Sequence, residues 1–247
     1  MANEKLHDVW NRFGKRYKAH PWHGINAGAG APEVVRCFIE VVPGDQMKYE
    51  ICKESGYLMI DRPNKFSNTI PVPYGLIPRT YSAEAMAEFC MQQTGRTGIE
   101  GDSDPLDICV LMDRTLPHGN LLLDAVVVGG FRMIDGGEAD DKIIAVLKGD
   151  HTYGDIKDVA ECPEKLIKRI KHYFLTYKED PDNPGKSKEV EITHTYGREE
   201  ALEVVRRSQQ DYDTHFGNLD KELAQTLSEA LNTTCLLYTS PSPRDRG

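Results

Sequence analysis

Two groups of carboxylates lie close together in this chain. Asp102, Asp104 and Asp107 fall within the hexapeptide Asp102-Ser-Asp-Pro-Leu-Asp107, and Asp135, Glu138, Asp140 and Asp141 follow about thirty residues later. Carboxylates this dense repel one another unless a cation sits among them, and an all-oxygen donor set suits hard divalent ions such as Mg²⁺. An EF-hand calcium loop starting at Asp102 would need an oxygen ligand at its fifth position, Gly at its sixth and Glu at its twelfth. Those places hold Leu106, Asp107 and Asp113, so that motif is excluded. Duty as turn and cap residues is the plainer alternative for Asp-x-Asp taken alone.

The elements that must position these groups follow from periodicity. Strands are expected at Val34–Val42, Gln46–Lys53, Tyr57–Asp61, Leu106–Met112, Leu121–Met133 and Lys142–Leu147, with Gly and Pro between them, and short strands so spaced suggest a barrel. Period-2 alternation puts Lys48 and Glu50 on one strand face, sets Arg36, Phe38 and Glu40 together, and directs Asp107, Cys109 and Leu111 away from Leu106, Ile108 and Val110. An inward Asp107 is costly without a partner, which a metal ion would supply. Helical spacing takes over at Pro163–Lys178, where Leu166, Ile167, Ile170, Tyr173, Phe174 and Tyr177 form an apolar stripe expected to pack on the barrel. Further helices are expected at Arg198–Tyr212 and Asp220–Leu231, with shorter ones at Val9–Lys18 and Ala83–Met91. The plan is α+β and β-rich: an OB-like closed β-barrel with two or more flanking C-terminal helices.

Composition restricts partners. A net charge of −9 on 247 residues argues against nucleic acid or an anionic membrane, because phosphate backbones bind basic surfaces. The longest apolar run, Leu121–Phe131, contains Asp124 and two glycines and falls far short of a span of about 20 residues. No secretory h-region opens the chain, so a cytoplasmic protein is expected. Cysteines 37, 52, 90, 109, 162 and 235 show no CxxC spacing and read as reduced thiols. The Gly-rich stretch 24–32 lacks a following Gly-Lys-Ser/Thr and reads as a flexible linker. The final residues, Cys235–Gly247, lack period and read as a non-native adapter sequence or a disordered tail. Expected organisation is thus an N-terminal extension 1–32, a domain 33–232 with an inserted surface segment at about 81–98, and a tail 233–247.

Six blocks in fixed order then resemble the family I soluble inorganic pyrophosphatases. They are Ile39-Glu40 with Lys48-Tyr-Glu50, Ile60-Asp61-Arg62, Tyr74-Gly75, the signature Asp102-Ser-Asp104-Pro-Leu-Asp107-Ile, Met133-Ile-Asp135-Gly-Gly-Glu-Ala-Asp140-Asp-Lys142, and His172-Tyr-Phe-Leu-Thr-Tyr177-Lys178. The resemblance covers most of residues 33–180. It implies hydrolysis of diphosphate to two phosphates by direct attack of a metal-bridged hydroxide, in a site of several Mg²⁺ ions, by a homo-oligomer. Asp102, Asp107, Asp135, Asp140 and Glu50 match the family's metal ligands and Asp104 its general base. Tyr74 matches a tyrosine lining the site, and Glu40 a supporting carboxylate. Lys48, Arg62, Lys142, Tyr177 and Lys178 match the phosphate-binding groups. Such a site is physically sensible, since phosphoryl transfer leaves a protein mainly positioning and charge neutralisation.

Alternatives stand beside several of these residues. Lys142 and Lys178 also fit ordinary solvated lysines, Tyr177 fits core packing, and Arg62 before Pro63 fits a strand end. The pair His20 and His23 fits packing better than metal binding. Ile70 stands where bacterial relatives usually carry a second tyrosine, and the 81–98 segment is longer than in compact members. A metal-dependent phosphohydrolase of nucleoside or polyphosphate substrates is the alternative within the same chemistry. A catalytically dead scaffold is the alternative outside it, and would be marked by loss of Asp104, Asp107 or Lys142, none of which is lost.

Overall fold

The structure, a computed structural model, describes residues 18–179 and 189–238. The expected helix at Val9–Lys18 and the end of the expected tail beyond Tyr238 lie outside the described residues, apart from Lys18 itself. Ten strands are described. They are β1 (Val34–Val41), β2 (Met47–Ile51), β3 (Leu58–Pro63), β4 (Tyr74–Leu76), β5 (Glu100–Gly101), β6 (Asp107–Leu111), β7 (Leu121–Asp135), β8 (Glu138–Ala139), β9 (Lys142–Leu147) and β10 (Val190–Gly197). The helices are α1 (Glu84–Thr94), α2 (Glu164–Thr176), α3 (Arg198–Phe216) and α4 (Leu219–Tyr238). Ala19–Tyr212 forms one compact unit, and α4 belongs to a second. None of the described helices is long and apolar enough to cross a membrane.

Five strands close a ring. β1 pairs with β4, β4 with β6, β6 with β9, β9 with β7, and β7 returns to β1. Every junction is antiparallel except β6–β9, which is parallel. The expected closed barrel is therefore present, and β2 and β3 form a separate two-stranded sheet beside it. Alternation along the strands splits the core in two. Ile143 and Ala145 of β9 join one apolar cluster with residues of α1 and α3, while Ile144 and Val146 join another with Ile170, Tyr173 and Phe174 of α2. The expected packing of the Pro163–Lys178 helix on the barrel is thus observed. The strands β4, β5, β8 and β10 were not anticipated; the first three have three residues or fewer and carry no readable period, whereas β10 has eight residues.

Two peripheral segments differ from expectation. The 24–32 stretch is not a free linker: Ala27 is buried, its carbonyl accepts from the Arg36 amide at 2.7 Å, and Trp22 just before it donates from Nε1 to the Thr80 carbonyl at 2.7 Å. The 81–98 segment is not a surface element, because Met86, Ala87, Phe89 and Cys90 of α1 are buried. Its helix begins without a cap of its own. Asp211 of α3 serves instead, Oδ2 accepting from the amides of Ala83 at 2.9 Å and Met86 at 3.0 Å and Oδ1 from that of Ala85 at 2.9 Å. Four residues of the supposed tail, Cys235–Tyr238, continue α4.

Two stability predictions follow from these anchors. Asp211→Ala strands three amide donors at the α1 N-terminus and should cost about 2 kcal/mol, read by urea unfolding; a change within about 0.5 kcal/mol would remove the capping role. His23 stacks on Trp22 and shares a 2.9 Å hydrogen bond between Nδ1 and the Tyr212 hydroxyl. Burial first, then His20 and Arg79, bring its pKa down to about 4 from the ordinary 6.5. Between those values the unfolded chain binds the extra proton, so this contribution to stability is full above pH 6.5 and is lost as pH falls towards 4. His23→Gln should flatten the stability profile in that window and leave its slope unaltered above pH 7, read by urea unfolding across the pH range.

Candidate active site

The hexapeptide turn is built on the segment that precedes α1. Ser82 accepts at its carbonyl from the Ser103 amide at 3.0 Å and donates its own amide to the Asp104 carbonyl at 2.9 Å. The Thr80 hydroxyl accepts from the Leu106 amide at 2.9 Å. Gly101 is required here, since a Cβ would come within 2.3 Å of the Ser82 carbonyl oxygen. Ser103 takes φ of 61°, the left-handed region, and the Asp104 amide donates to Asp102 Oδ1 at 3.0 Å, so the turn presents both aspartates before β6 begins.

The second carboxylate group reaches the first through the parallel β6–β9 pairing. Asp107 opens β6 and Lys142 opens β9, and the two stand in direct register. The Lys142 ammonium, 3% exposed, is hydrogen-bonded to both Asp107 and Asp140. Tyr74 donates to Asp107 Oδ2 at 2.5 Å. It can do so because Gly75 lets β4 press against β1, where a Cβ would meet the Phe38 carbonyl oxygen at 1.9 Å. Lys178, just past α2, pairs with Asp135 at the end of β7. On the β2–β3 sheet Lys48 pairs with Glu50 and, at 3.2 Å, with Asp61, which also accepts from Arg62 at 2.5 Å. The Arg62 guanidinium lies 5.6 Å from the centre of the Tyr177 ring. Glu40 is buried on β1 and accepts from the Ile51 amide at 2.7 Å.

These groups line one cleft of about 360 Å³. The metal-ligand candidates Asp102, Asp107, Asp135, Asp140 and Glu50, the candidates Asp104, Tyr74 and Glu40, and the phosphate-binding candidates Lys48, Arg62, Lys142, Tyr177 and Lys178 all contribute to its wall. Lys142 is therefore no solvated lysine. Ile70 packs in the α2-side cluster and is not part of the wall. His20 and His23 pack together beside Trp22 and stand outside it as well.

Three further charged members of the wall have no site role assigned from the sequence: Lys53, Asp61 and Glu138, the last named there only as one of the second carboxylate group. Lys53 pairs with Asp104, but alternation along the expected Gln46–Lys53 strand sets it on the face of Met47, Tyr49 and Ile51, away from Lys48 and Glu50, whereas β2 ends at Ile51 and the alternation ends with it. Asp61 and Glu138 stood within recognised blocks, and the signal available was their closeness to Arg62 and Asp140.

Burial governs the electrostatics. Desolvation, then the neighbouring Asp140, holds the Asp102 carboxyl well above its usual range, and desolvation raises Asp107 against the pull of Lys142. Asp140 is also buried, yet Lys142 overcomes that cost and its carboxyl lies below the ordinary value. Burial and then Asp107 lift Glu40 to about 8. Among the described residues no three His, Cys, Asp or Glu side chains converge closely enough to hold an ion as they stand. The donor set nonetheless fits a hard divalent cation: its members are carboxylates, two are held above their usual range by burial first and by neighbouring carboxylates after it, and Asp135 Oδ1 is buried with no hydrogen-bond partner.

Fold and cleft can now be set beside known proteins. A family model described as inorganic pyrophosphatase matches residues 37–213, and the chain belongs to that family. An inorganic pyrophosphatase of Chlamydia trachomatis serovar L2 is 48% identical over 196 residues, which span 78% of this chain and 94% of that one. A soluble inorganic pyrophosphatase of Oryza sativa subsp. indica is 34% identical over 201 residues, 81% of this chain and 83% of the relative. The crystal structure of inorganic pyrophosphatase from Thermus thermophilus aligns with a TM-score of 0.66 at 33% identity, over 79% of this chain and 99% of that one.

Removing the central cation tests the electrostatic picture. Lys142→Met leaves Asp107 and Asp140 buried without their counter-charge, and should lower stability by about 3–5 kcal/mol in the presence of a chelator. Millimolar Mg²⁺ should recover much of that loss, because a cation bound only by the folded chain raises its stability. An equal loss in chelator and in Mg²⁺, read from melting curves, would show that the carboxylates do not accept the ion.

Proposed function

We propose that this protein hydrolyses inorganic diphosphate to two phosphates with the aid of Mg²⁺, in the cleft walled by Asp102, Asp104, Asp107, Asp135, Asp140 and Lys142. The observation that carries the reading is the convergence of acidic and basic groups from six separate stretches of sequence on one cleft. It is supported by the family to which the chain belongs.

Asp102, Asp107, Asp135, Asp140 and Glu50 are the residues that would hold the metal. Bound there, Mg²⁺ neutralises diphosphate oxygens and makes water more acidic. The chain's own groups account for the remainder. Lys48, Arg62, Lys142, Tyr177 and Lys178 offer five donors for phosphate oxygens, and Arg62 is held across the Tyr177 ring with its side chain partly exposed. Asp104 takes a proton from the water whose oxygen attacks phosphorus. The bond from that phosphorus to the bridging oxygen breaks, the electron pair leaves on the second phosphate, and cationic side chains neutralise the charge that develops there. Lys53 pairs with Asp104 at the cleft wall. Tyr74 and Glu40 support the site from behind, Tyr74 by fixing Asp107 and Glu40 by tying β1 to the end of β2. Cytoplasmic location and homo-oligomeric assembly complete the reading and rest on the family resemblance.

Phosphate release from diphosphate, measured with and without Mg²⁺ and beside ATP as competing substrate, tests the proposal. Turnover of diphosphate with Mg²⁺ is expected; preference for ATP would favour the nucleotide phosphohydrolase reading. Asp104→Asn should lower kcat by at least about 100-fold while leaving the melting temperature near the parental value. Undiminished turnover in that variant would remove Asp104 as the base.

A further inference from the structure

Asp141 stands between Asp140 and Lys142 in sequence, yet it takes no part in the cleft wall that both neighbours form. Alternation at the entry to β9 turns it to the other side of the barrel wall, where its side chain is fully buried against Arg132 of β7, itself fully buried. Arg132 Nη1 lies 2.8 Å from Asp141 Oδ2, close enough for an ion pair but off the hydrogen-bonding line. Arg132 Nη2 donates to Glu200 of α3 at 2.9 Å, and the Tyr196 hydroxyl of β10 donates to Asp141 at 3.2 Å. The guanidinium also lies 4.9 Å from the Phe89 ring centre of α1 and 5.2 Å from that of Tyr196.

A dry charge pair is a poor way to gain stability, because desolvation offsets most of the attraction and apolar residues of like volume usually hold a core as well. Asp141 Oδ1 and Arg132 Nε add to that cost, since neither has a hydrogen-bond partner. An ion pair does supply direction, and here it acts at one place. Phe131 of β7 stands opposite Lys142, and the Met133 carbonyl accepts from the Asp140 amide at 3.1 Å. Arg132 therefore sits between the two β7 residues that hold Lys142 and Asp140, and grips the residue between them.

We propose that the Arg132–Asp141 pair is a positioning device for the catalytic cleft: by fixing the rotation of the 140–142 backbone it keeps Asp140 and Lys142 facing the cleft together. Neither Arg132 nor Asp141 touches the cleft, and the inference rests on the reading of Asp140 and Lys142 as site residues given above.

The test compares Asp141→Asn, the paired apolar replacement Arg132→Met with Asp141→Leu, Asp140→Asn, and Asp211→Asn as a control for the loss of a buried carboxylate remote from β9. Each is assayed for kcat on diphosphate with Mg²⁺, for Mn²⁺ affinity by equilibrium dialysis, and for melting temperature. The paired replacement leaves no fully buried charge, and Glu200, which loses Arg132, is part-exposed and keeps His194 at 3.3 Å, so it keeps the test open if Asp141→Asn does not fold. The expected result is a loss of about tenfold or more in both kcat and Mn²⁺ affinity for Asp141→Asn and for the paired replacement, the scale usual for residues that orient a metal's ligands. The paired replacement should melt no earlier than Asp211→Asn, and Asp211→Asn should keep parental kcat and Mn²⁺ affinity. Parental kcat and Mn²⁺ affinity in the paired replacement, with loss of both in Asp140→Asn, would overturn the positioning role alone. Parental values in Asp140→Asn would overturn the reading of the site, and the positioning role with it.

Discussion

The interaction on which the rest depends is the attraction of one buried ammonium, that of Lys142, for two part-buried carboxylates, Asp107 and Asp140. None of the three could be buried alone, since each would forfeit its hydration without return. Together they make a small ionic lattice at the start of two adjacent strands, still surplus in negative charge because Asp102 and Asp135 stand beside it. That surplus is what a divalent cation would satisfy. The same cleft wall carries Lys48, Arg62 and Lys178, so it suits a polyanion that arrives together with its metal.

The surrounding fold places the members of that lattice. The barrel supplies Asp107 and Lys142 through one inter-strand register, and the Gly75 contact brings Tyr74 onto Asp107. The Thr80–Ser82 segment shapes the turn that carries Asp102 and Asp104. Both halves of the core contribute, because the strands that hold the cleft residues are buried on both faces.

Much of this was legible in the sequence. Residues whose role depends on strand alternation, Lys48 with Glu50 and Asp107 away from Ile108, could be placed because the period of a strand is short and strict. Residues whose role depends on order within a motif, Asp102, Asp135 and Asp140, could be placed through the family pattern. What was not legible has a common physical cause. Lys53, Asp211 and the Arg132–Asp141 pair act through contacts between segments far apart in sequence, or from positions just outside a periodic element, and no local pattern reports such contacts. Ala27 was misjudged for the same reason: a Gly-rich stretch reads as free until the hydrogen bonds that anchor it are seen.

The single parallel junction in the ring has a consequence for how the molecule comes into being. A parallel pair cannot be closed by a tight hairpin, so β6 and β9 are joined through the intervening β7, which runs antiparallel to β9. That is a contact of high sequence separation, of the kind formed late because its loop-closure entropy must be met first. The juxtaposition of Asp107 with Lys142 is therefore a product of a completed barrel. A nascent or partly opened chain would hold every one of these residues and yet have no cleft, so the capacity for chemistry arrives in one step with ring closure.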